Sequence, residues 1–141
     1  MLNKLPSLIK PTLTTQFHID FDWWKNQDRN WRNALESFLC EEHRVYFKSP
    51  NIASTADIID PHTGAVSQGD PLMDVLTNHC AKQDNFLSAS SPLVDSIFKI
   101  FLVNNNQPLN AEELSKITGR PADIILRTIG TTKVYKGIRP K

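Results

Sequence analysis

The chain has 141 residues, of which 40% are hydrophobic and 22% charged, and its formal net charge is +1. These values are typical of a soluble globular protein and exclude disordered, collagen-like and low-complexity classes. No apolar run approaches the roughly 18 residues of a membrane-spanning helix, and no signal-peptide pattern is seen, so we expect a cytoplasmic protein without a membrane partner.

The charges are unevenly distributed along the chain. Residues 1–91 carry eight bases and eleven acids, whereas residues 92–141 carry eight bases and four acids. Within residues 116–141, Asp123 is the only acid among seven bases. A basic segment of this kind suggests an anionic partner such as DNA.

The N-terminal part of the chain predicts an extended arm followed by strand and helix. Residues 1–16 contain two prolines and many threonines and serines, which is typical of an arm. Residues 17–21 alternate apolar and polar side chains, as a short strand does. Apolar residues at helical spacing then predict a helix over about Asp28–Glu42.

Strand and turn signals follow in residues 44–70. The run Arg44–Phe47 is β-prone, and Ile58–Ile59 precedes an Asp-Pro-His-Thr-Gly sequence that is typical of a hairpin turn. Pro71 begins a second amphipathic helix. We therefore interpret residues 17–84 as an N-terminal α+β part and residues 85–91 as a linker to a domain at 92–141.

The start of the last fifty residues predicts two helices joined by a short extended segment. Ser91–Pro92 is interpreted as the N-cap and first turn of a helix with an apolar stripe that reaches Phe101. Asn110, followed three residues later by Glu113, resembles a capping box and predicts a second helix from Ala111.

A third helix and a final strand complete this segment. Gly119 supplies the left-handed residue that ends the second helix. Pro121 then begins a third helix that Gly130 ends, and residues 133–138 are β-like.

The order helix, short strand, helix, glycine turn, helix, strand resembles the winged helix-turn-helix families of transcription regulators. The resemblance covers residues 92–138 and rests on the sequences at Pro108–Leu114 and Ile125–Ile129. It implies a mostly α fold with short strands (α+β), with a three-helix unit beside the N-terminal part. Only eleven residues follow Gly130, whereas these families usually have two strands joined by a wing there.

The resemblance implies a non-enzymatic nucleic-acid-binding or transcription-associated protein. In these families the third helix enters the major groove, and a basic tail can contact the flanking phosphates. The implied contacts are Arg120, Arg127 and Thr128 on the helix and Lys133, Lys136 and Arg139 in the C-terminal tail. The exposed face of this helix also carries Asp123 and Ile124, which are poor residues for meeting phosphates.

The alternative is a docking subunit of a larger assembly, because winged-helix modules also serve as protein-binding domains. Tryptophan is enriched at interface hot spots. Trp31 fits the apolar stripe of a core helix, but Trp23 and Trp24 are neighbours, so one of them should face away from the core. Trp23, Trp24 and Ile124 are therefore the predicted interface residues for a protein partner or a homodimer.

Two cysteine–histidine pairs have the residue types of a zinc site. Cys40 and His43 form a C-x-x-H pair, and His79 precedes Cys80. Adjacent residues on a helix point about 100° apart, which makes it awkward for the second pair to share one ion. Buried cysteine without a metal is commoner, so we predict no metal or cofactor and keep these four residues as a lesser zinc hypothesis.

Catalytic motifs are missing from the sequence. It contains no glycine-rich phosphate loop, nucleophile elbow or His-Glu-x-x-His motif. His18, Asp20 and Asp22, with His43 or His62 nearby, have side chains capable of acid–base chemistry. The solvent-exposed side of a strand explains them equally well, so we expect no enzymatic activity.

Overall fold

A computed structural model of the chain describes residues 10–48, 56–60, 62–88 and 91–141. The chain divides into two compact units. Unit 1 comprises Met1–Asp28 and Leu87–Lys141, and unit 2 comprises Arg29–Phe86. Unit 1 therefore combines segments from both ends of the chain, while unit 2 is the continuous segment between them.

Helices and short antiparallel strands make up the described residues, which confirms the predicted α+β class. None of these helices is long and apolar enough to cross a membrane. In chain order the elements are β1 (Phe17–Ile19), α1 (Phe21–Gln27), α2 (Trp31–Glu36), α3 (Glu41–Tyr46), β2 (Ala56–Ile59), β3 (Val66–Gly69), α4 (Pro71–Asn78), a 3₁₀ helix (Cys80–Lys82), α5 (Leu93–Val103), α6 (Ala111–Thr118), α7 (Ala122–Ile129) and β4 (Ile138–Pro140).

The predicted N-terminal strand forms as β1 and belongs to unit 1. It pairs antiparallel with β4, which places Ile19 opposite Ile138. Phe17 also exchanges both backbone hydrogen bonds with Leu109, at 2.8 and 3.0 Å. The N-terminal strand therefore lies between the segment that precedes α6 and the C-terminal strand.

The core of unit 1 is built on α5. This helix contacts β1, α6 and α7, and its Phe98 ring meets the ring of Trp24 edge-on at a centroid distance of 5.5 Å. The two N-terminal elements thus supply core residues to the C-terminal helices. The buried side chains of unit 1 are Phe17, Ile19, Trp24, Ile97, Phe98, Ile100, Phe101, Leu102, Ala111, Leu114, Ile125, Ile129 and Ile138.

The predicted capping box and glycine turn are both confirmed. Asn110 Oδ1 accepts a hydrogen bond from the Glu113 amide at 2.8 Å, and the Asn110 amide donates to Glu113 Oε1 at 2.9 Å. Gly119 ends α6 with φ of +75°, in the left-handed region. α7 follows with Ile125 and Ile129 buried, as the helical spacing predicts.

Two predictions for unit 1 are wrong in detail. The N-cap of α5 is Pro92 rather than Ser91, and no side chain caps this helix. The β-like run at 133–138 yields a strand only from Ile138, because Lys136 and Gly137 both have positive φ, 50° and 76°, and turn the chain there.

Unit 2 contains α2, α3, α4 and the predicted hairpin. β2 and β3 pair antiparallel, with Ile59 opposite Val66. Pro71 begins α4 as predicted, and the carboxylate of Asp70 caps it by accepting from the Leu72 amide at 3.0 Å. Among the described residues of unit 2, the buried side chains are Leu35, Phe38, Leu39, Leu72, Leu76, Cys80, Ala81 and Phe86.

Two predictions for unit 2 are wrong. The helix expected over Asp28–Glu42 is interrupted between α2 and α3, where Cys40 is extended with ψ of 162°. The β-prone run Arg44–Phe47 is helical up to Tyr46 and has no strand partner among the described residues. Acidic residues in the first turn of α3 and basic residues in its last turn favour this helix over the local β preference.

Candidate functional site

The exposed face of α7 carries Arg127, one of the residues nominated for DNA contact. Asp123, Ile124 and Arg127 are exposed, while Ile125 and Ile129 on the opposite side are buried. The Arg127 guanidinium lies 3.2 Å from the Asp123 carboxylate, and the two side chains are 69% and 70% exposed. An exposed pair of this kind contributes little to stability, so Arg127 can exchange its partner for a phosphate at small cost.

The other two nominated residues around α7 form hydrogen bonds within unit 1. The Arg120 guanidinium donates to the Ser91 carbonyl oxygen at 2.9 Å and is half-buried. Thr128 Oγ1 donates to the Ile124 carbonyl oxygen at 2.8 Å. These contacts give Arg120 and Thr128 structural roles in the turn and in the helix.

The three nominated cations of the C-terminal tail also have partners in unit 1. Arg139 lies 3.1 Å from the Asp20 carboxylate, and its guanidinium lies 4.5 Å from the ring centroid of Trp23. Lys136 Nζ is 3.9 Å from the Asp95 carboxylate. Lys133, the most exposed of the three, lies 5.1 Å from the Tyr135 ring centroid.

The predicted interface residues divide between core and surface. Trp24 is 2% exposed and belongs to the core, so it does not contribute to a docking surface. Trp23 is half-buried beside Arg139, and Trp31, expected in the core, is also only half-buried. Ile124 is 39% exposed, and the sequence analysis missed Ile117 on α6, which is 52% exposed.

The group His18, Asp20 and Asp22 does not share one strand face, because β1 ends at Ile19. Asp20 is the N-cap of α1 and accepts from the Trp23 amide at 3.1 Å, and Asp22 lies within the helix. Burial lowers the pKa of His18; the charges of Lys141 and Arg139 add to this effect, and Asp20 opposes it. His62 is exposed in the hairpin turn of unit 2.

The four residues of the lesser zinc hypothesis come together in unit 2. The Cys40 Sγ atom lies 3.2 Å from His43 Nδ1 and 3.4 Å from Cys80 Sγ, and Cys80 Sγ lies 3.9 Å from His43 Nδ1. The rings of His43 and His79 meet edge-on with centroids 4.5 Å apart. Burial raises the pKa of the Cys80 thiol to about 11.

Local backbone structure explains why these side chains converge. Cys40 is the N-cap of α3 and His43 is the third residue of that helix, the same spacing that brings side chains together in a capping box. The expected 100° divergence of the second pair does not arise, because α4 ends at Asn78. His79 is non-helical, with φ of −125° and ψ of −62°, and Cys80 begins the 3₁₀ helix.

Glu42 also reaches this cluster, and the sequence analysis missed it. One potential ligand atom from each of Cys40, Glu42, His43 and His79 lies within 4.8 Å of the others. Its position next to His43 in the first turn of α3 was a signal that could have identified it.

Comparisons with protein-family models, with curated proteins and with solved structures find no match for this chain. Its function must therefore be inferred from its own residues.

Proposed function

We propose that this chain is a non-enzymatic nucleic-acid-binding protein that contacts a DNA duplex through α7 of a winged-helix-like unit. The supporting observation is the arrangement of α6, the left-handed Gly119 turn and α7. This arrangement buries one face of α7 and leaves Arg127 exposed on the other. An exposed arginine on such a helix is suited to bidentate contact with guanine or phosphate.

The intramolecular contacts rank the five basic residues among the six nominated ones. Arg127 is the leading contact, because its Asp123 partner is exposed and easily displaced. Lys133 is next, since it is exposed and follows α7 closely. Arg120, Lys136 and Arg139 contribute less to binding, because contact with DNA would compete with their partners in unit 1.

Binding should be measured by titrating the protein into labelled mixed-sequence duplex and single-stranded DNA at low and physiological salt. Arg127→Glu should weaken duplex binding about tenfold or more, because it removes a cationic contact and adds a repulsive charge. Arg29→Glu is the matched control, since Arg29 is exposed in unit 2 and the charge change is the same. We expect the control to retain most of the affinity.

Asp123→Asn tests the same contact in the opposite direction. It removes the only acid of residues 116–141 and releases Arg127, so duplex binding should strengthen several-fold. Equal effects of Arg127→Glu and Arg29→Glu, or no duplex binding even at low salt, would refute α7 as the DNA-binding element.

The second candidate function is protein docking, favoured by the exposure of Ile117 and Ile124 at 52% and 39%. Apolar association persists or strengthens as salt is raised, whereas phosphate binding weakens steeply. Sedimentation of the protein at both salt concentrations would reveal a homodimer. Under this hypothesis Ile124→Glu disrupts the dimer, while Arg127→Glu leaves it intact.

A further inference from the structure

Two segments of unit 2 that are distant in the sequence place sulfur and imidazole side chains in one cluster. Cys40 and His43 belong to the start of α3, and His79 and Cys80 follow the end of α4. We propose that these four residues bind one zinc ion. The site lies outside α7, and it does not depend on the proposed DNA binding.

The distances between donor atoms fit tetrahedral zinc. Bonds of about 2.3 Å to sulfur and 2.0 Å to nitrogen place two sulfurs about 3.8 Å apart, and a sulfur and a nitrogen about 3.5 Å apart. The two sulfurs are 3.4 Å apart, and His43 Nδ1 is 3.2 Å from Cys40 Sγ and 3.9 Å from Cys80 Sγ. Shifts of about 0.4 Å or less therefore suffice to place these three atoms around zinc.

His79 is the fourth ligand in this assignment. Two cysteines and two histidines form a common donor set of closed structural zinc sites. Ligand atoms of His79, Cys40 and His43 lie within 4.8 Å of one another. A carboxylate oxygen of Glu42 also lies within 4.8 Å of these atoms, but the Glu42 side chain is 78% exposed, against 47% for His79.

Glu42 is placed to orient His79 rather than to bind the metal. Its Oε2 atom lies 3.9 Å from His79 Nε2, which also lies 3.1 Å from the side-chain amide nitrogen of Gln83. A metal-bound histidine commonly donates its second ring nitrogen to a carboxylate, which sets the direction of the ring. We therefore assign Glu42 as a positioning residue.

The sparse core of unit 2 gives the ion a structural role. Ile59 and Val66 of the hairpin are 64% and 61% exposed, so this hairpin adds little apolar burial to the unit. Small units commonly rely on a metal or a disulfide to supplement their core. Zinc would connect α3 to the end of α4 and close the loop that contains the hairpin.

A disulfide between Cys40 and Cys80 is the competing explanation for the short sulfur–sulfur distance. The two sulfurs are 3.4 Å apart, and contraction to about 2.05 Å would form the bond. The two explanations make different predictions for zinc binding by the protein under reducing conditions. Reduced thiols bind zinc and release their protons to the buffer, whereas a disulfide offers no thiolate.

The test uses the full chain, purified under reducing conditions and stripped of metal with a chelator. Zinc alone is titrated in against a chromophoric chelator, and Co²⁺ is used as a spectroscopic probe of thiolate ligands and tetrahedral geometry. We expect one ion per chain and the absorption of a tetrahedral two-thiolate cobalt site. Zinc at 100 times its dissociation constant should slow hydrogen exchange in unit 2 by up to about 100-fold.

Variants then assign the ligands. Substitution of a ligand should weaken zinc binding more than about 100-fold, and we expect this of Cys40→Ser, Cys80→Ser, His43→Gln and His79→Gln. Substitution of the positioning residue, Glu42→Gln, should weaken it by about 10- to 100-fold. His62→Gln is the matched control, because His62 is exposed in the hairpin of the same unit, and it should bind zinc normally.

Three results would overturn the proposal. Absence of stoichiometric zinc or cobalt binding by the reduced wild-type protein would exclude the site, whatever the variants do. A cobalt spectrum without thiolate absorption would exclude both sulfur ligands. Stronger loss in Glu42→Gln than in His79→Gln would show that the fourth ligand is wrongly assigned.

Discussion

The two units of this protein differ in what their interiors contain. Unit 1 buries four aromatic side chains around α5: Phe17, Trp24, Phe98 and Phe101. The described part of unit 2 buries a smaller set of mostly aliphatic side chains, exposes Ile59 and Val66 of its hairpin and brings sulfur and imidazole groups together. Apolar burial is therefore the main stabilising contribution in unit 1, and the smaller described core of unit 2 is one argument for the proposed zinc ion.

The difference also separates the two candidate sites. The proposed DNA-contacting residues lie on a helix whose position is set by a large apolar core. The proposed zinc ligands instead come from the start of α3 and from the residues after α4, and Cys80 among them is itself buried. The proposed DNA contact would therefore lie on a surface held by a preformed core, whereas the proposed zinc ion would be part of the fold of unit 2.

The largest predicted effect tests the aromatic core of unit 1. Phe98 is fully buried against Trp24 and Phe21, so Phe98→Ala should lower the free energy of unfolding by about 3–5 kcal/mol. Val66→Ala, at a 61% exposed position of the unit 2 hairpin, should change it by less than about 0.5 kcal/mol. Urea denaturation measures both, and similar losses would show that the aromatic core of unit 1 contributes no more to stability than an exposed side chain of the hairpin.

A smaller effect is expected at the turn that joins β4 to the core. Gly137 has φ of +76°, and an added Cβ would lie 2.8 Å from Trp24 Cβ. Gly137→Ala should therefore cost about 2–5 kcal/mol, from left-handed strain together with overpacking.

Gly119→Ala separates these two contributions. Gly119 has φ of +75°, but nothing lies within 4 Å of an added Cβ, so only the strain of about 1–2 kcal/mol remains. Thermal unfolding of both variants should show the larger loss for Gly137→Ala. Equal losses would mean that contact with Trp24 does not restrict the turn.

The smallest effect concerns the pH dependence of stability at β1. The pKa of His18 is lowered by burial, with Lys141 and Arg139 adding to the effect. The folded state therefore binds a proton less readily than the unfolded state. The resulting stability is present above 6.5, the ordinary pKa of a histidine, and is lost as the pH falls through the lower folded pKa.

His18→Gln should flatten this part of the stability profile between neutral and acidic pH. His62→Gln alters an exposed histidine of unit 2 and is the control variant for the same stability profile. Denaturation midpoints at several pH values measure the slope, and an unchanged slope in His18→Gln would show that this histidine does not couple to folding.

Local signals predicted several elements because the physics behind them is local. Asn110, Glu113 and Gly119 define α6 through a cap and a left-handed residue that act within a few positions of the chain. Pro71 and the turn at residues 60–64 likewise marked α4 and the hairpin. In each case the energy that defines the element comes from neighbours in sequence.

Long-range contacts determined the structure where these local signals did not predict it. β1 has a strand pattern of its own, but its partners are Leu109, β4 and the Asn106 side-chain amide, which bonds both backbone groups of Ile19 at 2.8 Å. The β-prone run of α3 became helical, since β propensity depends on a partner strand that is absent there among the described residues.

The same division, between what the sequence determines and what the tertiary structure determines, applies to the two candidate sites. The sequence by itself determined that Arg127 lies on the exposed face of a helix and that zinc-binding residue types are present. Only the tertiary structure decided that Arg120 and Arg139 are engaged within unit 1, and that Cys40 and Cys80 approach to 3.4 Å. Helical periodicity determines which face a residue occupies, whereas contacts between distant segments depend on how the whole chain packs.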